Sequence, residues 1–224
     1  MEQARPFVFF GCIELREILG RRARDERELM EGLEQVSPGS VYHHTHGVFL
    51  HQPTVTSLFQ NDFADWVASQ IRDEVLAERL SMVDPFQFPS LEELRDELVS
   101  IIDQHISTLH PVPRVVFGDP FFFLQSSLIP VPTGLEARTL AEFRHCLADV
   151  DASAIFYHAL DARIRRREGE EDFTYWIGQG LGQVALAEEI RRINPYLGGL
   201  EQMRFQILRV IDAELARETP SGES

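Results

Sequence analysis

The chain repeats itself, and this constrains its fold more than any other feature, because two copies of one unit must bury the same faces twice. Pro6-Phe7-Val8-Phe9-Phe10 recurs as Pro120-Phe121-Phe122-Phe123-Leu124. In the same register Leu33 falls on Leu147, Val36 on Val150, and Val41-Tyr42-His43-His44 on Ile155-Phe156-Tyr157-His158. After a few residues lost from the second copy, Asp62-Phe63-Ala64-Asp65-Trp66-Val67 meets Asp172-Phe173-Thr174-Tyr175-Trp176-Ile177. Further on, Val83-Asp84-Pro85-Phe86 meets Ile193-Asn194-Pro195-Tyr196. Trp, His and Pro paired in one order along the whole chain point to an internal duplication.

Local signals place helices in both copies. Asp25-x-x-Glu28, Thr139-x-x-Glu142 and Ser90-x-x-Glu93 follow the capping-box pattern, in which a side chain at each end satisfies an otherwise orphaned helix N–H. Ser37 and Asp151 stand where they can cap the next helix. Leu91, Leu94, Leu98, Ile101 and Ile102 share one helical face, as do Leu200, Met203, Ile207 and Ile211. The all-apolar runs Phe7 to Phe10 and Phe121 to Leu124 lack alternation, which predicts short strands buried on both faces and able to pair with each other. The expected fold is therefore mainly α, with two tandem pseudo-symmetric units of about five helices, each opening with a short buried extended segment. The boundaries expected are 1–104 for the first unit, 105–120 for a Pro-rich connector and 121–214 for the second unit. The end of the last helix and a disordered tail are expected over 215–224.

Charge narrows the partners. With 36 acidic against 21 basic residues the net charge is −15, so nucleic-acid backbones and anionic membrane surfaces are poor partners. No apolar stretch approaches the ~20 residues needed to cross a bilayer, and Cys12 and Cys146 form no disulfide framework. A cytoplasmic location, with a protein partner or a small-molecule ligand, fits these features.

The runs Ser40-Val41-Tyr42-His43-His44-Thr45-His46, Phe49-Leu50-His51-Gln52 and Asn61-Asp62-Phe63-Ala64-Asp65-Trp66-Val67 resemble a family of bacterial proteins that carry a domain of unknown function. Thr133-Gly134-Leu135-Glu136-Ala137-Arg138-Thr139-Leu140 and Ile155-Phe156-Tyr157-His158 continue the resemblance. It implies a prokaryotic cytosolic protein and supplies no activity. Where the family pattern has Asn-Asp before the second Trp motif, this chain has Glu171-Asp172.

Ligand-binding candidates are the side chains that both copies keep, His44 with His158, Trp66 with Trp176 and Asp62 with Asp172, together with Tyr157. For the histidines a core role outweighs acid–base work; for the tryptophans core packing outweighs stacking on a ligand. Asp62 and Asp172 read first as helix caps. Helical phase puts His44 and His158 on the buried face, and His43, His46 and His51 nearer the surface or the junction between copies.

That last trio occurs in the first copy alone. His43 and His46 can share a helix face as metal ligands do, whereas His51 lies about 12 Å beyond His43 unless the helix stops near Gly47. No cofactor is expected, and zinc or another divalent metal at these residues is the alternative. Arg163, Arg165, Arg166 and Arg167 read as a solvated helix end, with anion contact as the alternative. No nucleophile, base and orienting group can be matched from spacing. The function thus stays unknown at this level: an accessory, small-ligand-binding or protein-interaction module is favoured over a metal-dependent hydrolase built on the first-copy histidines.

Overall fold

The computed structural model describes residues 5–51, 59–108, 118–166 and 171–218. The centre of the expected connector, the end of the tail, Arg167 and most of the loop after His51 lie outside these residues. Strand β1 (Phe7–Ala23) leads to α1 (Glu26–Gln35), α2 (Pro38–Thr45), α3 (Val48–His51), α4 (Asp62–Trp66), α5 (Glu74–Ser81) and α6 (Leu91–Ile106). Strand β2 (Phe121–Ala137) leads to α7 (Leu140–Asp149), α8 (Ala152–Ile155), α9 (Ala162–Arg165), α10 (Asp172–Tyr175), α11 (Val184–Arg191) and α12 (Gly199–Glu218). Wider π-helical turns follow α4, α8 and α10, at Val67–Ile71, Phe156–Asp161 and Trp176–Gly180.

The capping boxes form as expected. Asp25 accepts from the Glu28 N–H at 2.8 Å, Ser90 from Glu93 at 3.1 Å and Thr139 from Glu142 at 3.2 Å. Glu28 and Glu142 reach back to the N–H groups of Arg24 and Arg138. Asp151 caps α8 through the Ser153 N–H, while Ser37 instead donates to Gln125.

The mainly α expectation does not hold. Helices cover about 62 % of the described residues, but the extended segments are 17-residue strands that pair antiparallel in a two-stranded sheet, so the fold is α+β. The strands were under-read because only their first halves are buried. From Ile13 onward β1 is largely exposed, and so is β2 from Ile129 to Gly134, so backbone pairing rather than burial sustains these stretches. Pro130 and Pro132 are tolerated because a two-stranded ribbon has an outward edge on each strand, where no N–H is needed. Nor are the apolar runs buried on both faces: Val8 and Phe122 are 41 % and 50 % exposed. Thr133 donates to the Phe9 carbonyl and Gln125 to Glu17. The opening half of each strand therefore lies beside the closing half of the other, and the two apolar runs do not pair.

Two compact units result. Unit I holds α1–α6, the closing half of β1 from Glu14, and the opening half of β2 to Leu128. Unit II holds α7–α12, the opening half of β1 to Ile13, and β2 from Ile129. Each helical set thus surrounds the opening strand of the other sequence repeat. In unit I, Phe121 and Phe123 enter a core with Leu29, Leu33, Phe63, Trp66, Leu94 and Leu98. In unit II, Phe7 and Phe9 pack against Phe143 and Phe173, with Trp176 against Phe7.

Gly32 of α1 lies where any Cβ would overlap the ring of Phe123. Gly32→Ala should therefore destabilise unit I by about 1–3 kcal/mol, although alanine is the better helix former. Denaturant unfolding measures this, and a gain in stability would show that β2 does not press on α1.

Candidate functional site

The residues that both repeats keep form the same hydrogen-bonded frame twice. In unit I, His44 of α2 contacts Asp62 through Nδ1 at 2.8 Å and accepts the backbone N–H of Leu124 at Nε2, at 3.0 Å. In unit II, His158 contacts Asp172 through Nδ1 at 2.8 Å and accepts the N–H of Phe10 at Nε2, at 2.8 Å. Because each Nε2 receives an N–H, the ring proton must sit on Nδ1 and be donated to the aspartate. The strand N–H groups involved point outward from the two-stranded ladder and would otherwise be buried without an acceptor. Trp66 and Trp176 complete the frame: their indole N–H groups donate to the carbonyls of Asp119 and Arg5, each at 2.9 Å.

His44 and His158 are buried, as helical phase predicts. The cap reading of Asp62 and Asp172 is corrected. Asn61 caps α4 through the Ala64 N–H, Glu171 precedes α10 without a side-chain cap, and the two aspartates turn toward the histidines. The sequence could have shown this in the first copy, where Asn61 is itself a good cap and leaves Asp62 without that task.

Around the frame the units differ. In unit II, Arg165 and Arg166 bond Asp172 at 2.9 and 2.6 Å, and their guanidinium groups lie over the rings of Tyr157 and Tyr175 at 4.2 and 4.4 Å. Burial works to raise the Asp172 carboxyl, but bonds from His158 and Arg165 outweigh it and bring it down to about 2. Burial lowers the His158 imidazole in spite of Asp172, and raises the Tyr157 phenol. These side chains, with Arg5, Phe7, Phe10 and Trp176, line a cavity of about 330 Å³. The arginine run read as a solvated helix end thus sends two members into this site.

In unit I, His43 and His51 stand where unit II has Tyr157 and Arg165. His43 and His46 prove buried rather than near solvent, because α2 is enclosed on all sides and has no solvent face. His46 stacks on Tyr42 and meets Phe86 edge-on, its Nδ1 against Thr45; burial lowers its imidazole to about 3. It does not join the other two. Their companion is Glu14 on β1, missed by sequence reasoning because a residue on a distant strand leaves no spacing signal. His51 Nε2 lies 2.7 and 2.6 Å from the two Glu14 oxygens, and His43 Nδ1 lies 3.3 Å from one of them. Burial, with His44 and His51 nearby, lowers His43 to about 4. Burial would raise Glu14, but His51 holds it below the ordinary carboxylate value.

The geometry predicts unequal costs for the two aspartates. Asp172→Asn strands two arginines and a buried imidazole N–H, and should cost about 3 kcal/mol. Asp62, 30 % exposed in its side chain and without an arginine partner among the described residues, should cost about 1 kcal/mol when changed to Asn. Because the Asp172 carboxyl is depressed, its contribution is present above about pH 3.8 and is lost as pH falls toward 2. Urea unfolding of both variants at pH 7 and pH 3 checks this, and equal costs at pH 7 would contradict it.

Comparison with known proteins agrees with this architecture. The sequence model of a family of unknown function, DUF5752, matches residues 4–212. The structure of OrfY from Thermoproteus tenax is similar over 95 % of this chain and 97 % of that one, at 29 % identity and a TM-score of 0.78. No curated protein matches the sequence.

Proposed function

We propose, for a chain that belongs to the family of unknown function DUF5752, a role as a small-ligand-binding protein whose unit II cavity takes an anionic organic molecule bearing a carboxylate or phosphate. One observation carries this reading: two guanidinium groups lie over tyrosine rings at a cavity that also holds Arg5. The tyrosine contacts and the bonds to Asp172 hold both guanidinium groups in place beforehand, which lowers the ordering cost of gripping an anion. Three arginines against Asp161 and Asp172 leave a net positive lining, although the chain as a whole carries −15. The size lies at the lower end for small-molecule sites, and the aromatic walls give an organic body a surface to cover.

The internal duplication supports the same reading, since one frame presented twice leaves the surrounding side chains free to diverge. A cytoplasmic, bacterial setting fits two cysteines that form no disulfide, and the family resemblance, and the negative charge argues against nucleic acid. No described helix is long and apolar enough to cross a membrane. The alternative of a metal-dependent hydrolase has one observation in its favour, the Glu14, His43 and His51 cluster of unit I, and stands or falls with a metal there.

Titration calorimetry with inorganic phosphate, glycerol 3-phosphate and a series of small dicarboxylates tests the proposal. At least one probe should bind, and Arg166→Gln should weaken it roughly 10- to 100-fold, as expected for loss of a charge-assisted bond. Absence of binding across the series, or equal binding by Arg166→Gln, would refute it.

A further inference from the structure

We propose that Glu14, His43 and His51 of unit I form a binding site for one divalent transition-metal ion of the zinc and cobalt class. The argument begins with the ligand atoms. One carboxylate oxygen and two imidazole nitrogens lie within 4.8 Å of one another. Two ligands each about 2.0–2.1 Å from a tetrahedral ion stand about 3.3 Å apart, and His43 Nδ1 already stands 3.3 Å from Glu14. His51 Nε2 addresses both oxygens of the same carboxylate. The hydrogen shared there occupies the side on which a cation would sit, so metal uptake needs His51 to withdraw by well under a side-chain length.

The chemistry selects these three and not their neighbours. A second grouping of His43, His44 and Asp62 is equally close, but both His44 nitrogens are already engaged, one by Asp62 and one by Leu124. His46 points elsewhere, into the aromatic contact with Phe86. Two imidazoles with one carboxylate suit zinc, cobalt or iron, whereas calcium and magnesium prefer an all-oxygen set. Glu14 is nearly enclosed, with 7 % of its side chain exposed, while His51 at the end of α3 retains 16 % and supplies an approach from solvent.

The repeat provides an internal control. At the offset that relates His44 to His158, Glu14 corresponds to Leu128, His43 to Tyr157 and His51 to Arg165. Unit II builds the same imidazole frame from His158, Phe10 and Asp172 with those residues standing in the three places. The frame therefore has no need of Glu14, His43 or His51, and a buried carboxylate wedged against two imidazoles is an addition specific to unit I. Arg16 also pairs with Glu14, at 3.1 Å, but its side chain is 59 % exposed, and such an ion pair is too weak to account for the enclosure.

The test uses the full chain without an affinity tag, stripped with chelator and titrated with Co²⁺ while visible absorption is recorded, then with Zn²⁺ in competition. One equivalent should bind, with the absorption of a low-symmetry cobalt centre, and Zn²⁺ should displace it. Glu14→Gln and His51→Gln should each weaken binding at least tenfold, the scale on which the loss of even a supporting contact acts, while His145→Gln, at an exposed position, should bind as the parent does. His51→Gln lies at a helix end where 16 % of the side chain is exposed, against 7 % for Glu14, and keeps the test valid if the Glu14 variant folds poorly, with circular dichroism confirming the fold. Binding that survives both substitutions, or a parent chain that takes up no cobalt, would overturn the proposal.

Discussion

The contact on which the rest depends is an imidazole nitrogen accepting a strand N–H. A two-stranded ribbon has an unsatisfied N–H at every second residue along each outer edge, and burying such an edge among helices is costly unless each donor finds an acceptor. His158 serves Phe10 and His44 serves Leu124. Each ring is held for that task by an aspartate on its other nitrogen, and each aspartate is held by its place at the first residue of a helix. In this way a helix start, a buried ring and a strand edge are fixed together. The aromatic residues that precede each bonded N–H, Phe7 and Phe9 in one unit and Phe121 and Phe123 in the other, then fall into the core.

The same contact accounts for the exchanged composition of the units. The histidine of each sequence repeat grips the strand that opens the other repeat, so compactness follows the hydrogen bonds and not the order of the chain. The tryptophan bonds to Arg5 and Asp119 repeat this exchange one turn further along. With the frame satisfied, adjacent positions are released to vary: Tyr157, Arg165 and Arg166 give unit II a cationic cavity, and Glu14, His43 and His51 give unit I a compact set of metal-ligand types.

Much of the frame is legible in the sequence. The caps at Asp25, Ser90 and Thr139 and the burial of His44 and His158 depend on neighbours within a few residues, where spacing carries the information. The length of the strands was not legible, because Leu15 to Arg22 and Ile129 to Glu136 are held by pairing and show neither burial nor clean alternation. Glu14 was hidden for the same reason, since a charge there reads as the end of an apolar run when the strand in fact continues through it. His43 and His46 were misplaced because phase assigns a solvent face only to a helix that has one. Asp62 and Asp172 were misread as caps because capping and ring-orienting both use a carboxylate at a helix start, and only the third dimension separates them.

The central claim is that both repeated imidazoles carry their proton on Nδ1 and receive a strand amide at Nε2. Nitrogen-15 correlation spectra of the imidazole rings at neutral pH test it directly, with His44→Gln and His158→Gln used to assign the signals. The account predicts that both rings are neutral Nδ1–H tautomers, each with a bare Nε2 showing scalar coupling across a hydrogen bond to the amide of Leu124 or Phe10. A protonated Nε2 at either ring would contradict it, since that nitrogen could not then accept the strand.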